Sequence, residues 1–174
     1  MPLVIRFATS DDAELIADLS RETFTQTFAA ANTKENIEKF MNEQFTREAL
    51  MKEVGRSGNI FLLAQEGEVP VGYARMRESE NPPELAGENA IEIARIYAVN
   101  SFIGTGVGSR LMQKCLDIAK KMNKTVIWLG VWQMNSRAIS FYKRWGFEMF
   151  GEHDFTLGND VQKDWLMKKT LNPS

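Results

Sequence analysis

Gly104, Gly106 and Gly108 stand between an apolar run and a helical pattern. The stretch reads Ile96-Tyr97-Ala98-Val99-Asn100-Ser101-Phe102-Ile103-Gly104-Thr105-Gly106-Val107-Gly108-Ser109. A strand, a glycine turn and a helix N-terminus together make an anion site. The first backbone N–H groups of a helix have no partner within it, and the helix dipole adds positive potential there. Glycine removes the Cβ that would hold a phosphate away from the backbone. The spacing therefore predicts a phosphorylated ligand on residues 104–109. Two commoner phosphate loops do not fit. Ser109 stands where G-x-G-x-x-G needs its third glycine, and no Gly-Lys-Ser/Thr is present.

A second segment carries chemistry. Asn135, Ala138, Tyr142, Gly146 and Phe147 follow the strand-like run 125–131 in the pattern N-x-x-A-x-x-x-Y-x-x-x-G-F. Asn135 can cap a helix that Gly146 closes. Tyr142 lies within that helix, and a phenol of ordinary pKa near 10 is a proton donor at neutral pH.

Both segments, in this order, resemble the GNAT superfamily of N-acetyltransferases. The glycine turn is similar to its Q/R-x-x-G-x-G/A loop, with Ile103, Gly104, Gly106 and Gly108 in the matching stretch. Ile103 departs from the usual Gln or Arg. Residues 23–28, Glu35-Asn36, 127–132, 151–155 and Leu171 narrow the resemblance to bacterial spermidine/spermine N-acetyltransferases of the Pai type.

The resemblance implies acetyl-CoA as cosubstrate and no metal. Pantetheine would pair with the backbone of Ile96, Tyr97 and Ala98. The pyrophosphate would meet N–H groups of Gly104, Thr105, Gly106, Val107, Gly108 and Ser109. Asn135 would touch the pantetheine arm, and Tyr142 would protonate the departing thiolate. The amine would attack the thioester directly, with a carboxylate taking its proton. Glu92 matches one position for that base; it reads equally well as an exposed strand residue. Other members place a Glu on the next strand, where this chain has Gly130. His153 is a weaker candidate, and Cys115 reads as core. The implied acceptor is a primary amine, a polyamine such as spermidine foremost. A peptide or protein amine, or a CoA-binding sensor without turnover, are the alternatives. Glu22, Glu35, Glu38 and Glu43, set among Phe24, Phe28, Phe40 and Phe45, are candidate partners for a polycation.

These residues need a scaffold. The pattern gives a strand at 4–8, helical segments capped near Ser10 or Asp11 and at Thr33, and a third from 45 to 54. Strands follow at 60–64, 69–76 and 91–99, with a surface loop at 79–84 between the last two. A helix at 106–122, a strand at 125–131, a helix at 135–145 and strands at 147–157 and 161–167 complete the chain. Val107, Leu111, Cys115, Ile118 and Met122 recur at helical steps as a core face. The order implies an α/β (α+β) fold: a mixed central sheet, helices on both faces, and a parallel pair joined by a right-handed crossover. The resemblance adds that this pair is splayed.

Composition sets bounds. The chain has 174 residues, 44% hydrophobic and 25% charged, which suits one soluble domain over 1–174, an N-acetyltransferase domain as the resemblance implies. Net charge is −2, which argues against nonspecific nucleic-acid binding. No apolar run reaches a membrane span, and the N-terminus has no signal-peptide pattern. A single cysteine fits a reducing cytoplasm, and a single histidine disfavours a histidine metal site. A monomer and a homodimer are both compatible with these features.

Overall fold

A computed structural model describes residues 2–78 and 81–172. Ser79 and Glu80 of the expected loop lie outside these, and a short 3-10 turn, Pro83–Leu85, follows. The strands are β1 (Leu3–Phe7), β2 (Asn59–Glu66), β3 (Val69–Arg77), β4 (Ala90–Ala98), β5 (Val126–Trp132), β6 (Glu148–Leu157) and β7 (Asp160–Thr170). The helices are α1 (Ala13–Phe28), α2 (Lys34–Glu43), α3 (Arg47–Glu53), α4 (Val107–Lys121) and α5 (Ser136–Arg144). The seven strands form one sheet in the order β1-β2-β3-β4-β5-β7-β6. All neighbours are antiparallel except β4 and β5, which α4 connects. The expected mixed sheet with one parallel pair is present.

Strand alternation assigns the two faces. Leu62, Ala64, Ala74 and Met76 pack with Val107, Leu111, Cys115 and Ala119 of α4. Their neighbours Phe61, Leu63 and Tyr73 pack with Ile16 and Leu19 of α1. Helices therefore cover both faces. Leu111 and Cys115 are completely buried, and each buried aliphatic side chain of Leu size contributes about 1.5–3 kcal/mol.

The caps follow residue type. The Thr33 and Thr46 side chains accept from the N–H groups of Asn36 and Ala49 at the starts of α2 and α3. Near the first helix, Ser10 and Asp11 fall inside a 3-10 turn instead of capping. Here the Thr9 N–H donates to Asp12 Oδ2 at 2.8 Å, so the capping contact lies one residue earlier. Gly72 on β3 brings the glycine turn close to the sheet. A Cβ there would lie 2.7 Å from the Tyr97 carbonyl oxygen and 2.9 Å from Val107 Cγ1.

Candidate active site

The parallel pair stops early. β4 and β5 are paired at Ala90–Val126, Ile91–Ile127, Glu92–Trp128 and Ile93–Leu129, and not beyond. Residues 94–98 and 130–132 then diverge, although 95–98 remain paired to β3 and 130–132 to β7, Ala94 falling at a register shift. This splay leaves one edge of each strand with backbone donors and acceptors open to a ligand. A cavity of about 700 Å³ fills the gap, lined on one side by Ile96, Tyr97 and Ala98 and on the other by Gly130, Val131 and Trp132.

The glycine turn closes one end. Gly106 caps α4 in the left-handed region, φ 97°, where a side chain is strained. A Cβ at Gly104 or Gly106 would meet nothing within 4 Å. The space above the helix N-terminus is thus a cradle of backbone N–H groups without side chains in front. Gly104, Gly106, Gly108 and Ser109 line the cavity. Thr105 and Val107 do not: the Thr105 hydroxyl donates to the Phe102 carbonyl, and Val107 is buried in the core. Asn135 lines the cavity and also caps α5, its Oδ1 accepting from the Ala138 N–H at 3.3 Å. Arg137 and Arg144 of α5 add two guanidiniums to the lining. Basic residues on a short helix are usually solvated, so residue type alone carries no signal of this placement.

Tyr142 of α5 reaches the same cavity and is buried. Burial pushes its phenol well above the ordinary value, with Cys115 nearby adding to the shift, so the ring stays protonated at neutral pH.

The far end is aromatic. Phe24 stacks on Phe28 at 4.4 Å and on Phe40 at 4.6 Å, and Phe28 meets Trp132 at 4.8 Å. Phe40 packs edge-on against Phe155 at 5.6 Å. Phe24, Phe28, Phe40, Phe45, Trp132 and Phe155 all line the cavity. Arg95 sits 5.0 Å over the Phe45 ring, and its guanidinium is held bidentately by Glu53 at 2.8 and 2.9 Å.

The carboxylates fall elsewhere than the sequence suggested. Glu92, the base the resemblance implies, is not among the residues that line the cavity. It lies where β4 and β5 are still paired, it is buried, and its Oε1 accepts from Arg77 Nε on β3 at 2.5 Å. Glu22, Glu35, Glu38 and Glu43 are also absent from the lining. Glu22 instead shares a separate shallow depression with Asp11, Glu14 and Asp18. The carboxylate that does line the cavity is Asp164 of β7, which pairs with Trp132 and, on its other side, with His153. No group of three or more His, Cys, Asp or Glu able to hold a metal exists among the described residues.

A family model described as "Acetyltransferase (GNAT) family" matches residues 14–147. The chain belongs to this family. It is 37% identical to an "Uncharacterized N-acetyltransferase in pepI 3'region" of Lactobacillus delbrueckii subsp. lactis, across 97% of this chain and 96% of that protein. It is 27% identical to a spermidine N(1)-acetyltransferase of Thermoplasma acidophilum, across 86% of this chain and 90% of that protein. The crystal structure of a PaiA N-acetyltransferase from the same organism, in complex with coenzyme A, superposes with a TM-score of 0.78 at 25% identity. That match covers 98% of this chain and 100% of that one. GNAT enzymes move an acetyl group from acetyl-CoA to an amine nitrogen, so this chain is an acetyl-CoA-dependent N-acetyltransferase. No described helix is long and apolar enough to cross a membrane.

Proposed function

We propose that acetyl-CoA enters the splay from the α4 side and that the acceptor is a polyamine such as spermidine, taken from the aromatic end. In this reading the pantetheine arm pairs with the open backbone of residues 96–98. The pyrophosphate meets amides within residues 104–109, with Val107 contributing main chain only; the Thr105 N–H is already given to the Phe102 carbonyl at 3.2 Å. Asn135 touches the arm, and the Tyr142 phenol gives its proton to the departing sulfur. The observation that carries the acceptor assignment is the ring-lined end of the cavity, which contains Asp164 but few other charges. Aliphatic segments of a polyamine lie against rings, and each ammonium facing a ring gains about 0.5–2 kcal/mol. The similarity to the Thermoplasma spermidine acetyltransferase supports the same reading.

The test is a comparison of kcat/KM for spermidine, a monoamine and a lysine peptide at matched concentration. One added cation–π contact of about 1.4 kcal/mol is a tenfold preference for spermidine. A preference for the peptide would move the acceptor to protein amines. Equal rates for spermidine and the monoamine would remove the polyamine assignment and leave acetyl transfer standing.

A further inference from the structure

We propose that Asp164 is the residue that takes the proton from the acceptor ammonium, with His153 positioning it and carrying that proton to solvent. The proposal rests on the acetyl-transfer activity and not on which amine is the acceptor.

The geometry converges on one point. Asp164 and His153 face each other across β7 and β6, with His153 Nε2 3.5 Å from Asp164 Oδ2. A Cβ built on Gly130 would lie 3.7 Å from that oxygen and 3.8 Å from that nitrogen. Both groups therefore hang over the side-chain-free stretch of β5, where it leaves β4 and borders the cavity. Asp164 Oδ1 is buried and has no hydrogen-bond partner among the described residues. Nor has the Nε1 of Trp132, the residue paired with it in register. A buried carboxylate oxygen without a donor is costly unless a ligand supplies one, and an ammonium is such a donor. His153 is half exposed, while Asp164 is 20% exposed, so the pair spans the way from cavity to water.

The electrostatic surroundings suit a base. Burial raises the Asp164 carboxyl above the usual range, and His153 on β6 opposes that shift. Tyr97 on β4 is also in electrostatic reach, and burial keeps it protonated; Arg95, Arg137 and Arg144 line the same cavity. One register step away Asp154 and Lys163 pair with each other. A carboxylate with a raised pKa has a better-matched proton affinity for an ammonium than an ordinary one.

The proton count closes. The ammonium gives one proton to Asp164, and His153 passes it to water. The neutral nitrogen then bonds to the acetyl carbon as the carbon–sulfur bond breaks. Sulfur takes the Tyr142 proton, and Tyr142 regains one from the nitrogen that has become the amide. Each turnover releases one proton through Asp164.

The experiment uses the full chain and whichever amine the wild type acetylates. Asp164→Asn should lower kcat/KM for that amine by roughly 10²- to 10⁴-fold, the usual contribution of a general base. Its affinity for CoA by calorimetry should stay within twofold, which also reports folding. In the wild type, kcat/KM falls as pH drops through the carboxyl's raised pKa, because a protonated Asp164 cannot accept. In Asp164→Asn that acidic limb gives way to the ionisation of the amine itself. A fluorinated alkylamine of low basicity, already neutral at the assay pH, should escape most of the defect. His153→Gln, which keeps a donor but cannot relay, should show a smaller loss with the same escape. An equal defect on the fluorinated amine would make Asp164 structural and overturn the proposal. So would wild-type kcat/KM and an unchanged acidic limb in Asp164→Asn. Failure of the spermidine preference bears only on the acceptor, because the Asp164 comparison then runs on the monoamine.

Discussion

Tyr142 carries two demands at once. It is part of the main core cluster with Phe147 and Cys115, and it also lines the cavity. Burial pushes the phenol up, so it holds its proton until a thiolate develops. Tyr142→Phe keeps the ring and its packing and removes the donor. Its kcat should fall about 10²- to 10⁴-fold with little change in the KM for acetyl-CoA. Steady-state kinetics at saturating amine, with chemistry shown to limit the rate, checks this. Full activity would take Tyr142 out of the mechanism. This residue was legible in the sequence because its helix, its cap Asn135 and its closing Gly146 are all local signals. The base was not legible. Glu92 and Asp164 are both strand carboxylates in alternating patterns, and what separates them is where β4 and β5 stop pairing. That boundary, after Ile93 and Leu129, is a property of the whole sheet and leaves no mark near either residue.

At the scale of elements, the working part is the junction of β4, the glycine turn and α4. Gly72 lets the turn approach the sheet, and Gly106 supplies the left-handed residue from which α4 starts. The sequence conveyed this junction well, because a strand, a turn and a helix contiguous in the chain are also contiguous in space. It conveyed the acceptor wall less well. The phenylalanines of α1 and α2 do reach the cavity, but the glutamates between them turn away, as an amphipathic helix requires when its apolar stripe faces inward. Trp132, Phe155 and Asp164 join that wall from three different strands, and no sequence spacing links them. Gly106→Val should abolish CoA binding. It places a branched side chain in the cradle and forces a β-branched residue to φ near 97°. Strain alone is controlled by Gly55→Val, at φ 89° with open space around its Cβ and outside the cavity lining. Calorimetric titration with CoA should show binding lost in the first variant and kept in the second. Binding in a folded Gly106→Val protein would show that the turn is not the phosphate cradle.

Across the whole molecule, the cavity divides the sheet. β1 to β4 lie on one side of the splay and β5 to β7 on the other, joined by only four register pairs at the base. The open edges of residues 94–98 and 130–132 cannot satisfy each other at that separation, so the free protein lacks the hydrogen bonds a continuous sheet would have there. A ligand that pairs with those edges ties the two halves together and binds the folded state alone. Linkage then fixes the size of the effect. At a CoA concentration about 100 times the dissociation constant the folded state gains about 2.7 kcal/mol. For a chain of this length each kcal/mol raises the midpoint by about 2–4 °C. Scanning calorimetry should therefore show a rise of roughly 5–10 °C in the wild type. Gly106→Val should show none, because its cradle is closed. Asp164→Asn should show the full rise, since Asp164 faces the acceptor and not the donor. A wild-type midpoint unmoved by CoA at that saturation would mean that the donor does not bridge the splay. A full rise in Gly106→Val would place its anchoring contacts outside the glycine turn.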